Sequence, residues 1–356
     1  LKQFRKKVGR DVLLMPVIKS NAYGHGFLEI AKICQQNKEV DRICVVGSDE
    51  AWVLLKNKIT KPIQILSFYD FEDKILLKLA KNNVIFPLYT LKQAKILNKI
   101  GQKVHKKIKV HLKIDSGTSR IGILPKNIFE FIKNIKKYKN LDIEGIFSHF
   151  SSSEESRQVT EQQLQIFNDT LIKLNKEDRI DPQIKHLPCS AATILYPKSY
   201  FKAVRFGLSL YGLHPSVQTT RNIKLKPALS WYTKIIQVKQ VPTGSKISYD
   251  QTYTVNRPTK LAILPVGYWD GFDRSLSNKG FVLVGGKRCP VLGKVCMNLT
   301  MIDVTEFLDV KEGDVVTLIG KQKNNIITAE DIAKWADTIN YEIVDRINPL
   351  LPRIIH

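Results

Sequence analysis

Short apolar runs recur at regular intervals through the first 210 residues of the chain. Most are rich in β-branched residues, and each is long enough for one strand. Most contain consecutive apolar residues rather than an apolar–polar alternation, which is typical of parallel strands buried on both faces. The eight runs span residues 11–19, 42–47, 62–67, 83–89, 108–115, 143–150, 183–188 and 202–207.

Helical patterns separate most of these runs, and the clearest covers residues 160–176. One helix face there collects four apolar side chains, namely Leu164, Phe167, Leu171 and Leu174. Eight strand–helix units in about 210 residues is the number found in a TIM barrel. A doubly wound open sheet is the alternative, but no GxGxxG motif follows the first strand. We therefore predict an α/β fold whose N-terminal domain is a (β/α)8 TIM barrel.

The pattern changes after about residue 226. Apolar runs such as "KLAILPVGY" and "FVLVGGKRCPVLGK" are separated by turn residues and not by helices. This predicts a mainly antiparallel β domain. One helix is expected at about 328–339, with Thr328 and Asp331 as a capping pair. The predicted domains are residues 1–226 and residues 227–356.

The composition is that of a globular protein with a strongly basic balance. Apolar residues make up 43% of the chain, and the formal net charge is +23. The lysines are dispersed through helical patterns and are not gathered with aromatic residues on one element. We therefore predict a solvated surface and no nucleic-acid partner. No apolar run approaches the length of a membrane span, so no membrane partner is predicted.

Five cysteines occur without a CxxC pair or a metal-site spacing, so no metal is expected. This usage favours reduced thiols and a cytoplasmic protein. The chain does not begin with methionine, which leaves open whether a targeting segment precedes it.

Polar or conformationally special residues stand at the carboxyl ends of successive predicted strands. In a TIM barrel these ends build the active site. The residues are Lys19, Lys113, Asp115, His149, Ser190, Arg205 and Gly207.

Lys19 opens the polar part of the stretch "VIKSNAYGHG". A lysine held at a strand end can be desolvated, which lowers its pKa, and the neutral amine can then attack a carbonyl. Tyr23 adds a hydroxyl, while Gly24 and Gly26 allow backbone to approach a ligand. Ser190 and the backbone near Gly207 suit a phosphate. An imine-forming lysine beside a phosphate site favours pyridoxal phosphate (PLP), with an aldolase-type intermediate as the open alternative.

The same stretch resembles the PLP-attachment signature of alanine racemases. Seven further blocks resemble that family in its order, over nearly the whole chain: "VHLKIDSGTSRIGI", "FSHFSSSEE", "VRFGLSLYG", "ISYDQTYT", "ILPVGYWDG", "VLGKVCMNLTMIDV" and "INYEIV". The resemblance implies a PLP-dependent racemase that interconverts L- and D-alanine and supplies D-alanine for peptidoglycan. It also implies a homodimer with shared active sites.

Racemisation at Cα requires two acid–base groups, one on each face of the cofactor, so that a proton is removed on one face and delivered on the other. The resemblance assigns Lys19 to one face and Tyr249, from the partner subunit, to the other. It assigns His149 to the activation of Tyr249, and Arg205 to contact with His149 and with the pyridine nitrogen of PLP. Since arginine cannot give the ring a proton, the ring is a weaker electron sink, and reprotonation at Cα competes well with transamination.

Further roles follow from the same resemblance. The phosphate contacts correspond to Tyr23, Ser190, Gly207 and Leu208. Arg120 corresponds to a substrate-positioning arginine, and Lys113 to a lysine that many members carry as a carbamate; a plain buried lysine paired with a carboxylate is the alternative. Tyr268 and Met297 correspond to residues that line the substrate entrance.

Several positions depart from the family pattern. Cys189, Lys294 and Asn298 replace other residues, and Pro349 or Asn348 stands where a phosphate-binding tyrosine is usual. Loss of that ring removes one hydrogen bond and makes room for a larger side chain, so serine or a broader amino-acid range is an alternative substrate. A decarboxylase, a non-catalytic PLP-binding barrel and a basic nucleic-acid binder are the hypotheses from other classes.

Overall fold

The computed structural model describes residues 1–67, 69, 72–178 and 180–355. The chain divides into two compact units. We call the first, Leu1–Ala22 with Phe27–Lys226, the barrel unit. The second, which we call the β unit, combines Tyr23–Gly26 with Pro227–His356. A four-residue piece of the "VIKSNAYGHG" stretch thus belongs to the β unit.

Eight parallel strands form the barrel unit. They are β1 (Leu13–Pro16), β2 (Ile43–Val45), β3 (Ile63–Ile65), β4 (Phe86–Leu88), β5 (Ile108–Lys113), β6 (Leu141–Phe147), β7 (Ile184–His186) and β8 (Ala203–Phe206). Strand β6 begins two residues before its predicted run, and the other seven lie inside theirs.

The pairing of these strands closes on itself. Hydrogen-bonded neighbours run β1–β8–β7–β6–β5–β4, and β2 pairs with β3. Parallel bridges Val17–Cys44 and Gln64–Ile85 join β1 to β2 and β3 to β4. The predicted TIM barrel is confirmed.

Helices connect most of the strands. They are α1 (Lys2–Val8), α2 (Lys19–Tyr23), α3 (Phe27–Gln36), α4 (Ser48–Lys56), α5 (Asp73–Lys81), α6 (Leu91–Val104), α7 (Ile128–Ile135), α8 (Arg157–Lys173), α9 (Ser190–Leu195) and α10 (Val217–Thr220).

Helix α8 buries a face that only partly matches the apolar face predicted from its periodicity. Phe167 is fully buried as predicted, but the buried face of α8 also carries the polar residue Gln163. Gln163 is tolerated there because its amide accepts from the Ser151 N–H at 2.9 Å and donates to the Ser151 hydroxyl at 2.9 Å.

The barrel unit has an ordinary apolar layer and an unusual polar interior. Phe4 of α1 stacks on Phe206 of β8 with ring centroids 4.5 Å apart, within an apolar cluster. His111, His186 and Gln64, which stand on strands of the barrel, are nevertheless completely buried. Such groups are expensive to bury unless they are hydrogen-bonded, and here His111 Nδ1 lies 2.8 Å from His186 Nε2 and 3.0 Å from the Gln64 amide nitrogen.

The β unit contains ten strands paired antiparallel. They are β9 (Trp231–Lys234), β10 (Gln237–Val241), β11 (Lys246–Ile247), β12 (Tyr253–Thr254), β13 (Thr259–Leu264), β14 (Phe281–Val284), β15 (Lys287–Pro290), β16 (Thr300–Asp303), β17 (Val315–Gln322) and β18 (Asn325–Ile327). The predicted antiparallel character of this part is confirmed.

Two helices end the β unit, α11 (Ala329–Ala336) and α12 (Asn340–Asp345). Thr328 and Asp331 form the predicted capping box at the start of α11. The sequence pattern predicts α11 but not α12.

Candidate active site

Lys19 lies three residues after the end of β1 and begins a turn of unusual handedness. Ser20, Asn21, Ala22 and Tyr23 each have φ of +53°, so four consecutive non-glycine residues are left-handed. Such backbone costs roughly 1–2 kcal/mol per residue. It persists only where neighbouring groups hold it, and here the Ala22 N–H donates to the Ile18 carbonyl at 2.9 Å.

Glu50 of α4 is one of the groups that hold this turn. Its carboxylate accepts from the Ser20 N–H at 2.7 Å and from the Val46 N–H at 2.8 Å. Burial raises the pKa of Glu50, although these two hydrogen bonds act to lower it. Sequence reasoning missed Glu50, because a glutamate in the first turn of a helix has an ordinary explanation as a charge at the helix N-terminus.

Arg205 of β8 is buried and held on several sides. One guanidinium nitrogen, Nη2, donates to the carbonyls of Ser148 at 2.7 Å and Leu187 at 3.0 Å and lies 3.3 Å from His149 Nδ1. The other, Nη1, contacts His186 Nδ1. Burial lowers the pKa of Arg205 to about 10, which still leaves it cationic at neutral pH.

His149 follows β6 and faces this cation. Burial, and then the charges of Arg205 and Lys113, hold the pKa of His149 well below its usual value, so the ring is neutral. Because Nδ1 faces an Arg205 N–H, Nδ1 is the acceptor and the single ring proton lies on Nε2.

Lys113, the last residue of β5, is buried with its ammonium 4.3 Å from the centre of the Phe147 ring. Burial, followed by the charges of Arg205 and Arg120, lowers the pKa of Lys113 to about 7. A substantial fraction of this amine is therefore neutral at physiological pH.

The loop after β5 is organised around the Asp115 carboxylate. One oxygen accepts N–H bonds from Gly117 at 3.0 Å, Thr118 at 2.9 Å and Ser119 at 3.1 Å. The other accepts from the Arg120 N–H at 3.1 Å. Burial alone would raise the pKa of Asp115, but these bonds keep it below its usual value. The loop leaves the side chain of Arg120 exposed.

A small cradle lies where α9 begins and β8 ends. The buried Ser190 hydroxyl accepts from the N–H groups of Gly207 at 3.1 Å and Ser209 at 3.4 Å. Leu208 starts a short 3₁₀ turn to Tyr211. Sequence reasoning missed Ser209, whose hydroxyl is buried and has no hydrogen-bond partner within the described residues.

Tyr23 and Gly24 are held by the C-terminal part of the β unit. A Cβ on Gly24, whose φ is +80°, would lie 1.7 Å from the Val344 carbonyl oxygen. The Gly24 carbonyl accepts from the Arg353 guanidinium at 2.9 Å, and the Tyr23 ring is 6.2 Å from that of Tyr341. From the sequence, the small size of Gly24 is predicted to admit a ligand; in the structure the group that requires it is the Val344 carbonyl.

Tyr249 projects from a strained turn of the β unit and is 70% exposed. Its neighbours Ser248 and Asp250 have φ of +67° and +55°. Lys294 forms an ion pair with Asp250 that steadies this turn, and this partner was not identified from the sequence.

Tyr268 and Met297 lie on neighbouring segments, 43% and 54% exposed. The Tyr268 N–H donates to the Cys296 carbonyl at 3.0 Å. The Ser248 hydroxyl, one residue before Tyr249, is 3.5 Å from Cys296 Sγ. The β unit thus brings its three predicted site residues into one exposed region.

Asn348, at the departure from the family pattern, is buried. Its amide donates to the Trp269 carbonyl at 3.1 Å and accepts from the Leu350 N–H at 2.9 Å. Pro349 is exposed. Asn348 therefore fastens the C-terminal segment instead of supplying a ring.

The barrel residues suit PLP. A phosphate needs N–H and hydroxyl donors. The Ser190 hydroxyl accepts from the Gly207 and Ser209 N–H groups and keeps its own proton to donate, and the unpartnered Ser209 hydroxyl is consistent with a ligand there. Lys19 and Arg205 are the amine and the buried cation in the barrel unit that could serve such a cofactor. A TIM barrel with a lysine, a buried arginine and a phosphate cradle at its strand ends, in one chain with an antiparallel β unit, is typical of the PLP-dependent racemases built on a TIM barrel.

Comparison with known proteins identifies the family within that class. Residues 1–215 match the family described as "Alanine racemase, N-terminal domain", and residues 228–355 match "Alanine racemase, C-terminal domain". The chain belongs to the alanine racemase family. It is a PLP-dependent racemase.

Individual relatives agree over almost the whole chain. An alanine racemase of Halothermothrix orenii is 43% identical over 99% of this chain and 92% of its own length. One of Methanococcus maripaludis is 41% identical over 99% and 94%. A Streptomyces lavendulae alanine racemase structure superposes with a TM-score of 0.94 at 29% identity, over 100% of this chain and 93% of that one.

A Bacillus anthracis alanine racemase with bound L-Ala-P has a TM-score of 0.89 to this chain at 36% identity, over 97% of this chain and 88% of its own.

In the described part of the chain, no helix is long and apolar enough to cross a membrane.

Proposed function

We propose that the protein interconverts L- and D-alanine by two-base proton transfer at Cα, with Lys19 and Tyr249 as the two bases. The observation that carries this proposal is the buried Arg205 cation, bonded to carbonyls and neutral histidines. PLP, when bound, would supply the electron sink that makes the Cα proton of the substrate acidic. Arg205, which cannot donate a proton to the ring nitrogen, would favour return of a proton to Cα over transamination.

Lys19 moves the proton on one face of Cα, because β1 and the left-handed turn hold its amine at the strand end. The Tyr249 hydroxyl serves the other face. A phenol needs help to act as a base near neutral pH. His149 provides it: its ring is neutral, and its Nε2–H is the group able to donate to the phenolate oxygen.

The other assigned residues bind and orient. The Ser190 hydroxyl and the N–H groups of Gly207 and Leu208 hold the phosphate, with Tyr23 adding a hydroxyl. Arg120 positions the substrate carboxylate, and Met297 and Tyr268 line its entrance. Loss of water from this region strengthens each of these polar contacts.

Lys113 is proposed to carry a carbamate. This modification requires a neutral amine, and a pKa of about 7 provides one at physiological pH. The carbamate's negative charge would then orient Arg120. Mass spectrometry after chemical trapping with labelled bicarbonate tests this, and failure to label Lys113 in protein that labels at other amines would contradict it.

The active form is proposed to be a homodimer in which Tyr249 reaches the site of the other subunit. The exposed positions of Tyr249, Tyr268 and Met297 support this, since large apolar groups gathered on a surface mark interaction sites. Its location is proposed to be cytoplasmic, where it supplies D-alanine for peptidoglycan.

Subunit mixing tests the proposal most sharply. Lys19→Ala and Tyr249→Phe homodimers should each be inactive. Refolding them together yields about half heterodimers, each with one intact site, so about a quarter of wild-type activity should return. Mixing Lys19→Ala with Lys19→Ala is the control. No recovery from dimers shown to be mixed would contradict a shared site.

The substrate is tested by incorporation of deuterium at Cα from heavy water. Exchange should be fastest with both enantiomers of alanine, and serine, lysine and arginine complete the panel. The serine or broader-range alternative is not favoured, because the relatives at 34–43% identity are named alanine racemases. Faster exchange of serine than of alanine would overturn the substrate assignment.

A further inference from the structure

A continuous chain of hydrogen bonds leads from Arg205 through the barrel to a carboxylate. His186 Nδ1 contacts Arg205 Nη1, and His186 Nε2 is 2.8 Å from His111 Nδ1. His111 Nε2 is 3.0 Å from Glu144 Oε2. Both histidines are completely buried, and neither they nor Glu144 have a place in the roles assigned above.

The donors and acceptors in this chain run in one direction. Arginine only donates, so His186 Nδ1 accepts and its proton lies on Nε2, from which it donates to His111 Nδ1. The His111 proton then lies on Nε2 and donates to Glu144. The Gln64 amide nitrogen lies 3.0 Å from His111 Nδ1 and 3.3 Å from His186 Nε2, and Arg42 Nη1 lies 3.4 Å from His111 Nε2. The direction is set by the short contacts of the chain itself, 2.8 Å between the two histidines and 3.0 Å from His111 to the carboxylate.

Both histidines are neutral, as this direction requires. Burial lowers the pKa of His111 to about 4, although Glu144 acts to raise it. Burial, with the charge of Arg205 next, holds the pKa of His186 well below its usual value.

The backbone is adapted to this arrangement. In the pairing of β5 with β6, Val110 lies opposite Ile143 and His111 opposite Gly145, so Glu144 is the extra residue of a bulge. A bulge re-aims a side chain, and here the Glu144 carboxylate meets His111. A Cβ on Gly145 would lie 2.5 Å from the His111 ring, so only glycine leaves space for this imidazole.

Glu144 is also the acidic end of this network. It accepts from Arg42 at 2.7 Å and from Lys109 at 2.7 Å, and these contacts with His111 hold its pKa below the usual value despite burial. Within the described residues, no carboxylate lies within 4.0 Å of Arg205. The two histidines are therefore its link to a negative charge.

We infer that Glu144, acting through His111 and His186, is a positioning residue that fixes the Arg205 guanidinium against the ring nitrogen of PLP. This rests on the role proposed for Arg205. The direction of the chain locks both imidazoles in the Nε2–H form, and the terminal carboxylate stabilises that form. The Arg205 guanidinium then donates to the acceptor nitrogen His186 Nδ1 in the barrel interior, and this contact keeps it aligned with the ring nitrogen of PLP.

The test is ¹⁵N–¹H NMR of the histidines in the holoenzyme and the apoenzyme. His111 and His186 should each show a protonated Nε2 and an unprotonated Nδ1 in both forms; signals are assigned from single His→Gln variants. Protonation of His186 at Nδ1 would overturn the inference. This NMR measurement requires neither an activity assay nor a Glu144 variant.

Glu144→Gln should then lower kcat about tenfold with little change in KM, since a charge-assisted bond is lost far from the substrate. It should also shift the His111 ring signals and the absorbance of the bound cofactor. Lys109→Met, which removes another partner of the same carboxylate, is the control and should change none of these.

The two proposals fail in different ways. If Glu144→Gln matches Lys109→Met in kcat and in its histidine spectrum while the wild-type enzyme racemises alanine, the relay is wrong and the proposed function stands. If the wild-type enzyme racemises no amino acid, the proposed function fails, and the histidine spectrum still decides how the relay is protonated.

Discussion

Most candidate site residues of the barrel unit are buried, although Lys19 is half-buried and Arg120 exposed, whereas Tyr249, Tyr268 and Met297 of the β unit are exposed. Arg205, Lys113 and Ser190 have almost no accessible surface, while Tyr249 is 70% exposed. In the barrel, burial itself sets the chemistry, because it lowers the pKa of Lys113 and keeps the histidines neutral. In the β unit, the backbone holds the site residues and little packs against them.

The difference has a consequence for mutation. A buried site residue is also part of the core, so its replacement changes stability as well as activity. An exposed one can be lost without affecting folding. Four experiments test this separation, beginning with the largest expected effect on stability.

Arg205→Leu should lower the free energy of unfolding by about 4 kcal/mol. It leaves the carbonyls of Ser148 and Leu187 and the acceptor nitrogen of His186 buried without donors. Urea denaturation of the apoprotein measures the change. Arg157→Leu, at an exposed arginine of α8, is the control and should leave unfolding unchanged. A fully stable Arg205→Leu protein would show that the barrel interior does not need its cation.

Gly24→Ala should cost about 3 kcal/mol, because φ is positive and the new Cβ would meet the Val344 carbonyl. Gly244→Ala is a matched control, since its φ is +85° but nothing lies within 4 Å of its Cβ position. It should cost only about 1 kcal/mol. Equal costs, measured by the same denaturation, would mean that the approach of Val344 is unimportant.

Lys113→Met should stabilise the apoprotein near pH 6 by a few kcal/mol, and this gain should shrink as the pH rises. The folded pKa of Lys113 is about 7, below its ordinary value of 10.5. Between these values the unfolded chain binds the extra proton, so wild-type stability rises with pH relative to the variant. Thermal unfolding in CO₂-free buffers measures the difference, and a constant difference would contradict a depressed pKa.

Tyr249→Phe should change the free energy of unfolding by less than about 0.5 kcal/mol, since the hydroxyl is on an exposed side chain. Racemisation should nevertheless fall by about 10²–10⁴-fold, the usual contribution of a general base. Denaturation and the deuterium assay are run on the same preparation. A large loss of stability would show that Tyr249 has a structural role within its own subunit.

Much of the fold could be predicted because its signals are local. Eight apolar runs at regular spacing predict a barrel, since continuous apolar strands must be covered on both faces. Thr328 and Asp331 predicted the start of α11 by the same kind of short-range rule. Helix α12 was missed because its six residues are too few for a periodic pattern.

The site was less accessible to such reasoning where the chemistry depends on distant partners. Glu50 and Ser209 carry no motif of their own, and their relevance comes from what they contact after folding. The small size of Gly24 was explained from its neighbours along the chain, but the group that demands it is more than 300 residues away.

Residue order was therefore enough to locate Lys19, Arg205 and Ser190 at strand ends and to place Tyr249 in a separate β domain. Which groups are neutral, which are charged and which way the buried histidines point was decided only by tertiary structure. The physical reason is that pKa values and hydrogen-bond direction depend on burial and on partners from other strands. His111, Gly145 and His186 come into contact only in the barrel interior, because β5, β6 and β7 lie side by side there.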